Sequence, residues 1–307
     1  MPRQALPRKV LELAGHTIAM GAIGAEFQLR ASGTNGDPNF RTAVQNLIRH
    51  VVPDLLDRRE DDDISRILRL VTYSLYQARA LLEAPDNRAA AAYSDLDLLD
   101  QIGEASRFVP HAINLLSENW NWRPLRSVFQ RNSEILFVGA GTGLIAIEAA
   151  TLWPKTRVVS LDMNANAIER AEQNIARKVL ADSRLAGRVT ARRAKVEEMN
   201  DKDQFDLVWL PSMFLPCDVC EGALSRLAHA LKSDGVLLIG MFGPFPGRHG
   251  RAIADVLTLR GKGCRQIMRL VTEQKALNNI KTVELEAILH AAVLHKPIAS
   301  SVGSARK

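Results

Sequence analysis

Residues 135–143, Ile-Leu-Phe-Val-Gly-Ala-Gly-Thr-Gly, decide how this chain is expected to fold. The four apolar residues 135–138 fit a buried parallel strand, because a strand covered on both faces has no polar alternation. The three glycines at alternate positions predict a turn, and residues 144–152 predict a helix. A strand that passes through a glycine turn into a helix is how α/β proteins bring bare backbone up to a nucleotide-like ligand.

The period of the apolar residues changes at about residue 134. Before it, helical stripes dominate: Asp37-Pro38 is a typical helix start, with Asp as the cap and Pro in the first turn. After it, short apolar runs alternate with helical patterns, which predicts a doubly wound, mostly parallel α/β sheet over 131–307. We therefore expect an all-helical domain over 1–130 followed by the α/β domain. The expected strands are 135–138, 157–161, 188–193, 205–210 and 236–242, and a further helix is expected at 283–292.

Composition bounds the class of protein. Apolar residues make up 47% of the 307 residues, which is enough to form a core. The sequence contains no run of about 18 apolar residues, so no membrane span is predicted. Three cysteines, an odd number, argue against a disulfide framework, and a reducing cytoplasm is the expected compartment.

Charge is uneven along the chain. Residues 1–130 carry 15 basic and 16 acidic side chains, whereas 131–307 carry 25 and 18. A basic α/β half could attract RNA or an acidic substrate. The only tight basic cluster has no aromatic residues interleaved for base stacking, so a solvated surface is favoured and nucleic acid is not expected as a partner. That cluster consists of Arg192, Arg193 and Lys195.

The glycine spacing narrows the ligand. A dinucleotide fold usually carries G-x-G-x-x-G, but here Leu144 occupies the place of the last glycine. The strand 158–161 ends in Asp162, 19 residues after Gly143, and a carboxylate there can accept hydrogen bonds from both ribose hydroxyls. With G-x-G-x-G after an apolar strand, the chain resembles the class I S-adenosylmethionine-dependent methyltransferases. The resemblance implies S-adenosylmethionine as cofactor, bound by Gly139, Ala140, Gly141, Gly143, Asp162, Met163, Val196 and Glu197.

Two positions depart from the family pattern. Many of these enzymes place an acid two positions before the first glycine, where this chain has Phe137, and an acid near the adenine, where it has Lys195. Glu197 or the Val196 N–H is the candidate to serve the adenine instead. These departures leave open a protein that kept the fold and lost the activity.

The acceptor side is less explicit. The strand 205–210 continues as Leu-Pro-Ser-Met, which is not the signature of amino-methylating nucleic-acid enzymes. Cys217 and Cys220 are interpreted as small residues that open a helix, and no metal site is predicted. The helix around 97–106 resembles the one that precedes the glycine motif in bacterial methyltransferases with a helical extension. The substrate-binding candidates are Gln101, Ser106, Trp209, Pro211 and Phe214, and the weak candidate for a catalytic base is His111.

The resulting hypothesis is a helical lid and substrate-selecting domain over 1–130 on a methyltransferase domain over 131–307. The favoured function is methyl transfer from S-adenosylmethionine to a small molecule, such as a specialised metabolite. An RNA or protein methyltransferase and a non-catalytic binding protein remain the alternatives. No membrane association is expected, and a homodimer stays open.

Overall fold

The computed structural model divides into two compact units, Met1–Arg88 and Ala89–Lys307, which are described separately. Among the residues described, no helix is long and apolar enough to span a membrane. The described residues are 8–83, 96–244, 249–260, 263–286 and 289–298.

The described part of the first unit is helical, as predicted. The side chain of Asp37 accepts a hydrogen bond from the Phe40 N–H at 2.7 Å, and Pro38 occupies the first helical position. This is the expected cap, since it satisfies an N–H that has no partner within the helix. A short 3-10 helix at Pro53–Asp57 follows the second α-helix. The α-helices are α1 (Arg8–Ser32), α2 (Pro38–Val51) and α3 (Asp61–Glu83).

A carboxylate is buried inside this first unit. Glu26 on α1 is 0% exposed and accepts hydrogen bonds from Arg30 at 2.9 Å, Arg41 at 3.0 Å and Gln45 at 3.1 Å. Burial would raise the pKa of Glu26, but these donors outweigh it and the pKa is lowered. The network therefore holds an ionised carboxylate between α1 and α2.

Three further helices precede the sheet and belong to the second unit. They are α4 (Leu96–Ser106), α5 (Phe108–Asn119) and α6 (Arg123–Gln130). Ile113 on α5 and Leu125 on α6 are fully buried in the same apolar core as the first strand. The division between the compact units therefore falls after residue 88. The boundary expected at residue 130 was based on the change in the spacing of apolar residues, which occurs later in the chain.

The sheet has seven described strands in the order β3-β2-β1-β4-β5-β7-β6. Strands β1 to β5 are parallel, and β7 is antiparallel to both of its neighbours. The α/β prediction is therefore confirmed, with the order reversing between β1 and β4. The strands are β1 (Ser133–Val138), β2 (Thr156–Asp162), β3 (Val189–Arg193), β4 (Phe205–Pro211), β5 (Leu231–Phe242), β6 (Asn278–Glu286) and β7 (Leu289–His295).

Helices cover both faces of this sheet. Side chains of α5, α6 and α7 pack on one face, and side chains of α9 and α11 pack on the other. The fully buried runs in β1 and β4 follow, because neither face of a central strand meets water. The remaining helices are α7 (Leu144–Leu152), α8 (Ala165–Ala181), α9 (Cys217–Ala230), α10 (Gly250–Arg260) and α11 (Ile267–Glu273).

Two expectations about this unit are corrected. The helix expected at 283–292 is wrong, because residues 283–286 belong to β6 and residues 289–292 to β7, where Ala291 and Ala292 are fully buried. The expectation against disulfides fails at one pair. Cys217 does open α9 as predicted, but it is joined to Cys264, while Cys220 is buried and free.

Candidate functional site

The glycine turn lies at the carboxyl end of β1. Gly139, Gly141 and Gly143 all have positive φ, at 60°, 53° and 77°. Other residues rarely adopt this left-handed conformation, so the alternation of glycines is required by the path of the backbone. A Cβ on Gly141 would meet no atom of the described residues within 4 Å, so among these residues the backbone is open on that side. The turn can thus accept a ligand close to its main chain.

Asp162 ends β2, the neighbouring strand, and its carboxylate is tied to the turn. It accepts hydrogen bonds from the Gly141 N–H at 3.0 Å and the Asn164 N–H at 2.9 Å. Burial raises the pKa of Asp162, while backbone N–H groups, including that of Met163, oppose the rise. These three donors do not use all of the carboxylate's lone pairs, so it can still accept a hydroxyl donor from a ligand.

Met163 follows Asp162 and is 62% exposed beside the same edge of the sheet. Val196 is buried at 4% in a short 3-10 helix after β3, where Glu197 packs against Gly222 of α9. Lys195 points outward and pairs with Glu198 at 2.8 Å. Of these candidates for the adenosine side, Met163 and Glu197 present side chains that are not fully buried.

Helix α4 packs directly on the glycine turn. A Cβ on Gly103 would lie 2.6 Å from Thr142 Oγ1 and 3.1 Å from Leu144 Cδ1, so only glycine permits this approach. Asp100 of α4 forms a salt bridge with Arg170 of α8. Helix α4 is therefore held against the glycine turn and against α8, the helix that follows the strand ending in Asp162.

The two predicted substrate residues on α4 differ in what they offer. Ser106 is half-buried and donates to the carbonyl of Gly103 at 2.8 Å, so its hydroxyl is engaged within its own helix. The backbone of Gln101 belongs to α4, whereas its side chain lies outside the described residues.

The predicted acceptor wall forms where β4 and β5 end. Pro211 packs near Gly139, whose Cβ would lie 3.5 Å from the Pro211 ring, so β4 ends beside the glycine turn. Phe214 meets Phe242 edge-on, with ring centroids 5.9 Å apart. Trp209 is only 2% exposed and its ring packs on Gly240, so it shapes this edge from within the core.

His111 lies on α5 and not on these strand ends. Its Nε2 is 2.8 Å from Glu148 on α7, and Arg107 also binds that carboxylate. Burial would raise the pKa of Glu148, but these two partners outweigh it and the pKa is lowered. The His111 side chain is half-exposed, and its ring nitrogen is engaged by this carboxylate.

Phe137 is fully buried in the core. The acid that many class I enzymes place there is consequently replaced by a packing residue with no access to a ligand.

Comparison with known proteins agrees with this geometry. Residues 135–235 match the model of a family described as a methyltransferase domain. The match covers about a third of the chain, and over this segment the chain is similar to that family. The predicted resemblance is thereby confirmed over the strands that carry the glycine turn and Asp162.

Two curated relatives are malonyl-[acyl-carrier protein] O-methyltransferases. The protein from Acetivibrio thermocellus is 29% identical over 110 residues, which cover 36% of each chain. The protein from Priestia megaterium is 26% identical over 166 residues, which cover 54% of this chain and 52% of the relative. The chain thus spans about a third to a half of the length of these relatives.

Two solved structures share the fold over nearly the whole chain. The pyocyanin biosynthetic protein PhzM matches with a TM-score of 0.60 at 15% identity, covering 93% of this chain and 96% of its own. Human N-acetylserotonin methyltransferase, solved with S-adenosylmethionine, matches with a TM-score of 0.57 at 15% identity, covering 97% and 99%. At this identity the likeness shows the fold alone, a mostly parallel α/β sheet preceded by helices.

Two features of the second unit were not predicted from the sequence. His290 of β7 lies beside the end of β5, opposite Met241, and its ring occupies the space that a Cβ on Gly243 would need. Cys264 lies next to the segment that follows β4. Both depend on pairings between distant parts of the chain, and the local pattern at 283–292 favoured a helix.

Proposed function

We propose that the protein transfers a methyl group from S-adenosylmethionine to a small-molecule acceptor. The observation that carries the proposal is the hydrogen bond from the Gly141 N–H to Asp162, because it joins the open glycine turn to the carboxylate expected to hold a ribose. When bound, S-adenosylmethionine supplies a sulfonium-activated methyl group, so the protein mainly positions the acceptor and excludes water.

Each part of the site has a distinct role in this proposal. Asp162 accepts the ribose hydroxyls, and the bare backbone at Gly141 allows close approach of the cofactor. Glu197 and the backbone at Val196 serve the adenine. Pro211, Phe214 and Phe242 form an apolar wall that holds the acceptor away from water.

Calorimetry with S-adenosylhomocysteine tests the cofactor assignment. Hydrogen bonds to a charged group are worth about 1.5–3 kcal/mol, so Asp162→Asn should weaken binding roughly 10- to 100-fold. The matched control is Asp203→Asn, at the amino end of β4, where φ is 47° and asparagine is tolerated. The control should bind normally. If the unaltered protein gives no measurable heat of binding at millimolar ligand, the proposal that it is a methyltransferase is refuted.

The small-molecule class of acceptor rests on the apolar wall and on the break from the base-methylation pattern after β4. Solved proteins of this fold include the mitomycin 7-O-methyltransferase MmcR, which matches with a TM-score of 0.55 at 15% identity, covering 94% of this chain and 97% of MmcR. Release of S-adenosylhomocysteine with a panel of phenols, amines and carboxylic acids would identify the class. Retention of the protein on RNA at low salt, lost as salt rises, would favour the RNA alternative instead.

We assign removal of the acceptor's proton to His290, with His111 as the competing base. His290 lies on the strand end beside β5, whereas the ring of His111 is bonded to Glu148. If a hydroxyl is the acceptor, loss of a general base lowers kcat by about 10²–10⁴-fold. A carboxylate or thiolate acceptor needs no base, so neither histidine would matter.

A further inference from the structure

A disulfide fastens the segment after β4 to a distant part of the chain. Cys217 opens α9, Cys264 precedes α11, and the two are 47 positions apart in sequence. We call the residues 263–266 the strap. Cys264 is 2% exposed and Cys217 is half-buried, so a reductant reaches the bond from the Cys217 side.

The strap lies against the backbone of the acceptor wall. The Cys264 N–H donates to the carbonyl of Ser212 at 2.9 Å. A Cβ on Gly263 would overlap the Met213 carbonyl group, so only glycine lets the strap approach this closely. Ser212 in turn donates its hydroxyl to the Gly240 carbonyl of β5 at 2.7 Å. The disulfide therefore closes a connected set of contacts around Ser212 and Met213, which directly precede Phe214 in the chain.

The third cysteine does not compete for this bond. Cys220 lies one turn after Cys217, and its thiol is 3.7 Å from the Leu215 carbonyl. Burial raises the pKa of Cys220 to about 12, so it stays protonated near neutral pH. Because the thiolate is the species that attacks a disulfide, Cys220 is a poor partner for exchange.

We propose that the Cys217–Cys264 disulfide holds the acceptor wall in its binding position, and that a dithiol reductant releases the wall and weakens binding of the acceptor but not of the cofactor. This inference rests on the proposed function, since it assigns the wall to the acceptor. One thiolate of the dithiol attacks Cys217 Sγ and expels the Cys264 thiolate, and the second thiol then displaces Cys217. Two electrons and two protons pass to the cysteines, and the dithiol leaves as a cyclic disulfide. Oxidised glutathione reverses the step and is itself reduced to two thiols.

Thiol counting on the full chain tests the pairing. After oxidised glutathione, denaturation and alkylation should label one cysteine, Cys220. After dithiothreitol, all three cysteines should be labelled. The variant Cys220→Ala should show none and then two. Three labelled cysteines after the oxidative step would overturn the proposal.

Hydrogen-exchange mass spectrometry tests the mechanical role without an acceptor. Reduction should speed exchange at 212–216 and 263–266 by at least about tenfold, because these contacts then open locally. Exchange at 139–143 should not change, nor should the calorimetric affinity for S-adenosylhomocysteine. Cys264→Ser should behave as the reduced protein, and Cys220→Ala as the oxidised one. Equal exchange at the wall in both redox states would overturn the proposed role of the disulfide. Failure to bind the cofactor in either redox state would instead overturn the proposed function.

Once an acceptor is known from the panel, reduction should raise its KM several-fold with kcat nearly unchanged. A several-fold fall in kcat at unchanged KM would contradict a role of the disulfide in acceptor binding.

Discussion

The contact between α4 and the glycine turn allows a sharp test, the substitution Gly103→Ala. The added Cβ would lie 2.6 Å from Thr142 Oγ1, whereas ordinary contacts begin at 3.4 Å. Helix and turn must separate by about 0.8 Å, and overpacking of this kind costs about 1–3 kcal/mol. Alanine also gains up to about 1 kcal/mol of helix propensity. The net result should be a loss of about 1 kcal/mol, or roughly 2–4 °C in Tm for a unit of this size.

The control and the rescue come from the same chain. Gly15→Ala on α1 adds a Cβ that meets no atom within 4 Å, so it should not lower Tm. Thr142→Ala removes the obstructing atom, a buried hydroxyl with no hydrogen-bond partner in the described part of the chain. In the double variant Gly103→Ala/Thr142→Ala the losses should fall short of the sum by about 1–2 kcal/mol. Thermal unfolding followed by circular dichroism measures these effects.

The same displacement should reach the ligand. Because the turn that contacts Gly103 also carries the Gly141 N–H, Gly103→Ala should weaken S-adenosylhomocysteine binding in calorimetry, and the double variant should recover part of the loss. Simple additivity of the two substitutions, or a Tm that rises with Gly103→Ala, would refute the steric argument.

Three further outcomes are expected. Glu26→Gln leaves Arg30 and Arg41 without their carboxylate, and because both arginines reach water, the loss should be about 1–3 kcal/mol in urea unfolding at pH 7. The native pKa of Glu26 is lowered from 4.5, so its contribution to the free energy of unfolding is present above that pH and is lost as the pH falls through the lower native value. The stabilities of the two proteins should therefore converge in acid. A stability difference that persists there would contradict the assignment. With a hydroxyl acceptor, His290→Asn should lower kcat by about 10²-fold or more, while His111→Asn should not; the reverse result would move the base to α5.

The parts of the fold that could be predicted from sequence are those set by local spacing. The glycine turn and Asp162 were identified because a left-handed backbone needs glycine and because a fixed crossover length places the two strand ends side by side. Strands β1, β4 and β5 follow from their continuous apolar runs.

The hairpin β6–β7 was not predictable in the same way. Its segment contains alanines that favour a helix, and only pairing with β5 makes it a buried strand. His290 was passed over for the same reason, and Cys264 because its partner lies 47 positions away. Contacts across large sequence separations leave no periodic trace in the chain.

Strand β7 has a consequence for how the protein is made. It is the last of the described strands along the chain, yet it lies between β5 and β6, and its residues 291–294 are fully buried. Until β7 is synthesised, β5 has an unpaired edge, and β6 has no strand to join. Nascent chains that stall shortly before residue 289 should therefore expose an apolar sheet edge and depend on chaperones during translation.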